Sequence, residues 1–191
     1  MNSGDNRTDR GQESTSELLS VSLTVPVSWQ SGLELTASEA GPAVVRALAT
    51  AVTLAERPPL VNEDAMGLEL EVARLHQKTQ LLIELLALSL SRIGNRPSAV
   101  DACLSGSRCR WQSASMPVSG SIGALAVWLH PAAPEPMSWP AQIVEVSSQS
   151  DGSHRIEAQL LPLGEAAQAA LDRYIFQLHR RAIAEARSQR C

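Results

Sequence analysis

Residues 68–93 carry the most regular hydrophobic pattern in the chain. Eight positions there follow one another at alternating spacings of four and three residues, the heptad pattern of a helix that faces a partner. These seam positions are Leu68, Val72, Leu75, Thr79, Leu82, Leu86, Ser89 and Ile93. The second half of the segment, residues 81–90, is apolar on nearly every side. Because one helix cannot bury so wide a surface alone, the pattern predicts a long helix among several neighbours.

The beginning of the chain is polar and then changes to an alternating pattern. Residues 1–17 are almost entirely polar or glycine, so we expect a disordered tail there. Residues 21–25 alternate between apolar and polar side chains, which predicts a strand. Pro26 indicates an edge position or a strand end, after which Val27 and Trp29 can continue the strand.

Two helices are predicted after this strand. Thr36 and Glu39 have the spacing of a capping box at the start of the first helix. Its apolar face is Val45, Leu48, Val52 and Ala55. The sequence Arg-Pro-Pro at residues 57–59 stops this helix. The second helix is the heptad segment, which is expected to end at Gly94.

From Ser98 onward the hydrophobic period becomes that of strands. Short apolar segments separated by turn residues predict an antiparallel barrel or sandwich, and an amphipathic helix closes the chain. The strands are expected at residues 100–104, 108–112, 122–129, 139–147 and 154–161. The closing helix is expected at about 164–188, with an apolar face of Leu171, Tyr174, Ile175, Leu178 and Ala182.

The order of these elements predicts the fold class. The economical interpretation is an α+β fold, in which an antiparallel β-barrel carries two inserted helices after its first strand and ends with a C-terminal helix. We expect a single domain over residues 18–191. The helical insertion would occupy about 36–94 and the main barrel strands about 99–162.

Composition and charge exclude some classes of function. The chain has 191 residues, of which 44% are apolar, and a net charge of −4, so it lacks the basic character of a protein that binds a nucleic acid polymer. Cys103, Cys109 and Cys191 are too few for a disulfide scaffold. No secretory segment and no apolar run long enough to span a membrane is visible, so we expect a cytoplasmic protein with reduced thiols.

No motif predicts a catalytic site. The chain lacks a nucleophile elbow, a phosphate-binding loop and a dinucleotide fingerprint, and its histidines are scattered without metal-ligand spacing. We therefore expect no enzyme, no cofactor and no metal.

Cys103 and Cys109 are symmetric about Gly106, so a turn centred there would place them opposite each other across a hairpin. Such a pair would be buried and neutral or, alternatively, a redox or metal site.

The turn at residues 103–108 carries a resemblance to a known family. Its sequence, Cys-Leu-Ser-Gly-Ser-Arg, stands where that family has D/N-x-S-x-x-G. Strand-like segments at 123–129 and 141–146 and a basic helix at 173–181 follow in the matching order. From Val100 onward the chain resembles the PilZ domain, a small bacterial barrel whose typical members bind cyclic di-GMP.

The nucleotide-binding motifs of the family are only partly present. Ser105 is retained, whereas Cys103 replaces the acidic or amide residue and Arg108 replaces the glycine. The R-x-x-x-R motif, whose arginines bind phosphate and stack on guanine, is absent, because Arg7 and Arg10 are spaced by three residues. The resemblance implies a degenerate nucleotide site at Cys103, Ser105 and Arg108, with cyclic di-GMP as the candidate ligand.

The helical insertion is similar to that of the atypical, tetramer-forming branch of the family. This likeness implies a homo-oligomer, a tetramer, that assembles through the seam positions. The alternative is a helix that packs only on its own barrel and on the first helix. Thr79 and Ser89 weaken the seam and can fix its register.

Three functions are compatible with these features. The first is a non-enzymatic bacterial signalling module, an oligomeric adaptor for signalling or pilus-related proteins in cyclic di-GMP-linked control of motility, pili or virulence. The second is a genuine cyclic di-GMP receptor whose non-standard site uses Ser105, Arg108 and Arg110. The third is an enzyme whose site no sequence motif marks.

Overall fold

A computed structural model describes residues 19–33, 35–55, 67–93 and 96–188. Within these ranges six strands form a closed antiparallel barrel in the order β1-β2-β3-β6-β5-β4. The strands are β1 Ser20–Ser31, β2 Ala99–Ser105, β3 Arg108–Ser113, β4 Ile122–Val127, β5 Met137–Ser148 and β6 His154–Leu160. The helices are α1 Ala37–Leu54, α2 Leu68–Ile93 and α3 Glu165–Ser188. The predicted α+β barrel with two helices inserted after its first strand is confirmed.

The first strand closes the barrel because it pairs with two strands in succession. Residues 20–26 of β1 pair with β2, and residues 27–31 pair with β4, both in antiparallel fashion. Pro26 lies where the partner changes. Since proline has no N–H to donate, a point where one ladder ends and another begins tolerates it. The strand continues through Val27 and Trp29, as the alternation predicts.

Inward-facing side chains fill the barrel, as expected for a closed sheet of this size. Leu104, Leu125, Ile143 and Ile156 are almost completely buried, and so is Trp139. The indole N–H of Trp139 donates a hydrogen bond to the carbonyl oxygen of Leu161 at 2.7 Å. This bond satisfies the polar edge of the ring, so the large side chain is buried without an unpaired donor.

At one point β1 and β4 approach so closely that only glycine fits. A Cβ added at Gly123 would lie 2.2 Å from the carbonyl oxygen of Gln30 and 2.9 Å from a ring carbon of Trp29. Both of these residues belong to β1, which pairs with β4 here. Gly123 therefore allows the close approach of β1 and β4 with which the barrel closes.

α1 and α3 pack against each other and against the barrel. The buried residues of α1 are Ala40, Gly41, Val44, Leu48 and Ala51. Of the predicted face, Leu48 is buried, Val45 and Val52 are half-buried against the core and Ala55 is half-buried, but the most buried positions are rotated by about one residue, to Val44 and Ala51. The small residues explain the rotation, because Gly41 lies so close to Leu163 that an added Cβ would be 3.2 Å from its carbonyl oxygen.

The closing helix buries most of its predicted apolar face. Leu171, Tyr174 and Ile175 are buried, and Leu178 is half-buried. Ala182 is exposed, contrary to the prediction, because it lies in the exposed last turns of α3. The helix is therefore anchored to the rest of the domain through its first half.

The capping box predicted at Thr36 and Glu39 lies within the described residues, whereas three other predictions lie outside them. The Thr36 hydroxyl bonds the Glu39 carboxylate at 2.6 Å, and α1 begins at Ala37, but Thr36 makes no side-chain cap to the backbone. The tail at 1–17, the stop at 57–59 and Gly94 all fall in parts of the chain that the structure does not describe.

α2 has the predicted bounds, but its side chains are exposed in the single chain. Leu68 is 79% exposed, Leu75 63% and Leu82 66%. The interpretation that this helix packs only on its own barrel and on α1 is therefore wrong, since such packing would have covered these leucines.

None of the helices in the described ranges combines the length and apolar character that a membrane span requires.

Candidate functional site

The turn between β2 and β3 is closed by a single serine. The Ser105 hydroxyl accepts a hydrogen bond from the backbone N–H of Arg108 at 3.0 Å and donates one to the carbonyl oxygen of Arg108 at 3.2 Å. Both bonds go to Arg108, so the Ser105 side chain takes the place of a backbone partner for this residue. Gln168 of α3 donates a hydrogen bond to the carbonyl oxygen of Gly106 at 2.9 Å, so the turn is also tied to the closing helix.

The two cysteines beside this turn do not face each other. Cys103 pairs with Arg110 and Leu104 pairs with Cys109 in the β2–β3 ladder. Because successive side chains of a strand point to opposite faces, Cys109 lies inside the barrel and Cys103 lies on the outside. The expectation of an opposed cysteine pair was wrong by one residue of register. Burial, with a smaller contribution from Cys103, raises the pKa of Cys109 to about 12, so its thiol stays neutral.

On the outer face of the barrel, Glu157 of β6 bridges two arginines of β3. Its carboxylate accepts a hydrogen bond from Arg108 Nη1 at 2.9 Å through Oε1. Through Oε2 it accepts bonds from Arg110 Nε at 3.0 Å and Nη2 at 2.7 Å. We call these three residues the Arg-Glu-Arg clamp. Glu157 is only 7% exposed, whereas the side chains of Arg108 and Arg110 are about half exposed.

Within the clamp, the pKa of Glu157 is lowered and the pKa of Arg110 is raised. Burial alone would raise the pKa of Glu157, but the hydrogen bonds and positive charges of Arg110 and Arg108 outweigh burial, so this pKa lies below its ordinary value. The hydrogen bond to Glu157, and then the charge of Glu157, raise the pKa of Arg110. Glu157 and Arg110 are therefore both ionised near neutral pH.

The clamp lies in an open depression on the barrel surface. This depression has a volume of about 330 Å³ and is lined by Ser20, Cys103, Ser105, Ser107, Arg108, Arg110 and Glu157. It continues along the outer face toward Asp101, Arg155 and Glu145. The Ser107 hydroxyl is buried and has no hydrogen-bond partner within the described ranges. Such a surface offers hydrogen-bond donors to a polar ligand that carries acceptors.

The α2 seam is the second surface with functional potential. Leu82 and Leu86 are exposed, as are Leu81, Leu85 and Leu88 beside them. The seam residues Val72, Thr79 and Ser89 are exposed too, whereas the side chain of Ile93 lies outside what the structure describes. The Thr79 hydroxyl bonds the carbonyl oxygen of Leu75 at 3.0 Å, within its own helix. The described part of the seam is therefore an exposed apolar strip interrupted by Thr79, whose hydroxyl is satisfied within the helix, and by Ser89.

Comparison with known proteins identifies the family. The sequence model of a family described as atypical PilZ domain, cyclic di-GMP receptor, matches residues 45–188, most of the chain. The chain belongs to the atypical PilZ domain family. The family predicted from the turn at residues 103–108 and from the helical insertion is thereby confirmed.

A solved structure shares the fold of this PilZ domain. It is a pathogenic protein from Xanthomonas campestris, described as a tetrameric PilZ domain. The two chains are 23% identical, the match covers 87% of this chain and 91% of the other, and the TM-score is 0.63. No curated protein matches the sequence significantly.

The structure of this PilZ domain brings the predicted site residues together. Cys103, Ser105 and Arg108 all line the same depression, and Arg110 joins them. Glu157 was not predicted from the sequence. Opposite charges on two strands can predict a cross-strand ion pair, but only when it is known which strands pair with each other. Arg7 and Arg10 lie outside the described residues.

Most titratable groups of the depression are bonded to one another. Among the described residues that line it, these groups are the Cys103 thiol, the Glu157 carboxylate and the guanidinium groups of Arg108 and Arg110, and the last three form the clamp. Within the described residues, no group of three or more His, Cys, Asp and Glu side chains is placed to hold a metal ion. What the site can offer is charge-assisted hydrogen bonding to a ligand.

Proposed function

We propose that this PilZ domain is a non-enzymatic, cytoplasmic signalling module that assembles with copies of itself through α2 and acts as an adaptor in cyclic di-GMP-linked regulation. The observation that carries the proposal is the uncovered seam. Leu68, Leu75 and Leu82 are each more than 60% exposed in the single chain. A strip of this length is rare on a monomer and is typical of an association surface.

The width of the seam favours four helices over two. In the first half of α2 the seam is flanked by charged residues, among them Glu71 and Arg74, which form an ion pair at 2.9 Å. In the second half, Leu81 and Leu85 extend the apolar strip beyond the seam positions. A two-helix coiled coil would leave these leucines in water, whereas a bundle of four can cover them.

The relative from Xanthomonas campestris supports this assembly. It is described as self-assembled via an unusual helical bundle. In this chain, α2 is the helix with an uncovered apolar strip suited to such a bundle. Signalling or pilus-related proteins are the proposed partners of the assembled module.

Static light scattering on the purified full chain tests the assembly. We expect a mass of about four times the 20.5 kDa of one chain. A folded protein that remains a strict monomer at every concentration would contradict the assembly. A dimer would be compatible with assembly through α2 and would contradict only the tetrameric stoichiometry. It would leave part of the apolar strip uncovered.

A genuine cyclic di-GMP receptor is the second candidate. The observation that favours it is the depression in which Ser105, Arg108 and Arg110 converge. Calorimetric titration with cyclic di-GMP distinguishes the candidates. Submicromolar binding that is lost in Arg108→Ala would favour the receptor, and absence of binding would favour the adaptor.

A further inference from the structure

The Arg-Glu-Arg clamp occupies the donors that a phosphate would need. Arg110 directs its Nε and Nη2 at one oxygen of Glu157, at 3.0 and 2.7 Å. Arg108 directs Nη1 at the other oxygen, at 2.9 Å. Guanidinium groups bind phosphate through the same paired N–H groups that they use for carboxylates. A ligand phosphate at this face therefore competes with Glu157 for the same donors.

We infer that Glu157 is a built-in competitor for phosphate-bearing ligands, and that this one carboxylate sets the affinity of the depression for a cyclic dinucleotide. The inference rests on the proposed function only for the position of the nucleotide site at the β2–β3 turn. It adds a specificity-determining residue that lies on β6, outside the turn and its motif.

Burial makes the competition unequal. Glu157 is 7% exposed, whereas the side chains of Arg108 and Arg110 are about half exposed. The arginines can turn outward toward a ligand, but the carboxylate cannot follow them into water. Binding would therefore leave a buried charge with fewer partners, which is the costly outcome for an ion pair of this kind.

The charge balance of the surrounding surface points the same way. The depression and its extension contain Arg108, Arg110 and Arg155, set against the carboxylates Asp101, Glu145 and Glu157. Among the described residues of this face, positive and negative groups are equal in number, so these residues exert little net attraction on an anion. Removing the charge of Glu157 would leave a net positive patch around donors that are already in place.

Calorimetry on the full chain tests the inference, with cyclic di-GMP and inorganic pyrophosphate as the titrants. In Glu157→Gln we expect at least one of them to bind about tenfold tighter than in the unmodified protein, or more. Glu145→Gln is the matched control, because Glu145 pairs with Glu157 across the β5–β6 ladder but is exposed. Its effect should stay below about fivefold, as is usual for an exposed charge.

The gain in Glu157→Gln must also depend on the arginines. Adding Arg110→Ala to Glu157→Gln should abolish it. A Glu157→Gln protein that binds both titrants no better than the unmodified chain would overturn the inference, and so would an equal gain in Glu145→Gln. If Glu157→Gln unfolds, Glu157→Asp replaces it, because the shorter side chain cannot reach both arginines and should give a smaller gain.

The same measurements separate this inference from the proposed function. Tight binding of cyclic di-GMP by the unmodified chain would refute the degenerate adaptor, yet a further gain in Glu157→Gln would still support the competition. A monomeric mass would refute the assembly through α2 and would leave the competition at the barrel surface intact.

Discussion

A carboxylate placed in the α2 seam is the most direct perturbation of the proposed assembly. In the single chain Leu82 is 66% exposed and Leu86 is 50% exposed. Leu82→Asp or Leu86→Asp therefore changes little in the fold of one subunit, where an exposed substitution costs within about 0.5 kcal/mol. In the assembly the same position would be covered by neighbouring helices.

The substitution costs much more free energy in the assembly than in the single chain. Complete burial of a leucine is worth roughly 1.5–3 kcal/mol, so the two-thirds of Leu82 still exposed represents about 1–2 kcal/mol for each copy. A carboxylate enclosed by leucines without a partner adds several kcal/mol more. Every subunit of the assembly would carry this penalty, so we expect complete dissociation.

Light scattering coupled to size-exclusion chromatography measures the result, with circular dichroism as a check on folding. Leu82→Asp and Leu86→Asp should each have the mass of one chain, 20.5 kDa, and should still unfold in a cooperative thermal transition. The control is Gln77→Asp, which adds the same charge to an exposed position on the opposite face of the heptad. If both leucine variants kept the mass of the unmodified assembly, the proposal that α2 assembles through this seam would be refuted, because each variant places a carboxylate in the surface that should be buried.

Three further predictions concern the barrel. Gly123→Ala should lower the free energy of unfolding in urea by about 3 kcal/mol or more, since its Cβ would lie 2.2 Å from the Gln30 carbonyl oxygen; a loss below about 1 kcal/mol would show that the strands can separate easily. The lowered pKa of Glu157 adds stability that is fully present above its unfolded value of 4.5 and disappears as pH falls through the folded pKa. The free energy of unfolding should therefore fall more steeply with acid in the unmodified chain than in Glu157→Gln, and parallel curves would contradict the role of the clamp. Iodoacetamide at pH 8 should label Cys103 well before Cys109, whose buried thiol has a pKa of about 12; peptide mass spectrometry showing equal rates would contradict this difference.

Hydrophobic period was sufficient to predict most of the elements. The heptad segment has the same bounds in the structure, and β3 begins at Arg108 as the alternation predicts. These features are local, because each depends on the spacing of side chains within one segment. The family could be predicted for a similar reason, since its turn motif and the order of its elements are written along the chain.

Features that depend on long-range packing could not be predicted. The face of α1 is rotated because small residues such as Gly41 allow a close approach to a loop far along the chain. Cys103 and Cys109 are separated by the register of the ladder, and one residue of shift moves a side chain through the sheet. Glu157 meets Arg110 only because β3 pairs with β6, a pairing that skips the two intervening strands.

The divided pairing of β1 has a consequence for how the polypeptide folds during synthesis. Its first half must wait for β2, and its second half must wait for β4, with two helices made in between. Trp29 meets Leu125 only after on the order of a hundred further residues have left the ribosome. Such delayed contacts slow folding and leave strand edges exposed to other nascent chains. Each later strand can add to one that is already made, but the barrel closes only when β6 pairs with both β3 and β5.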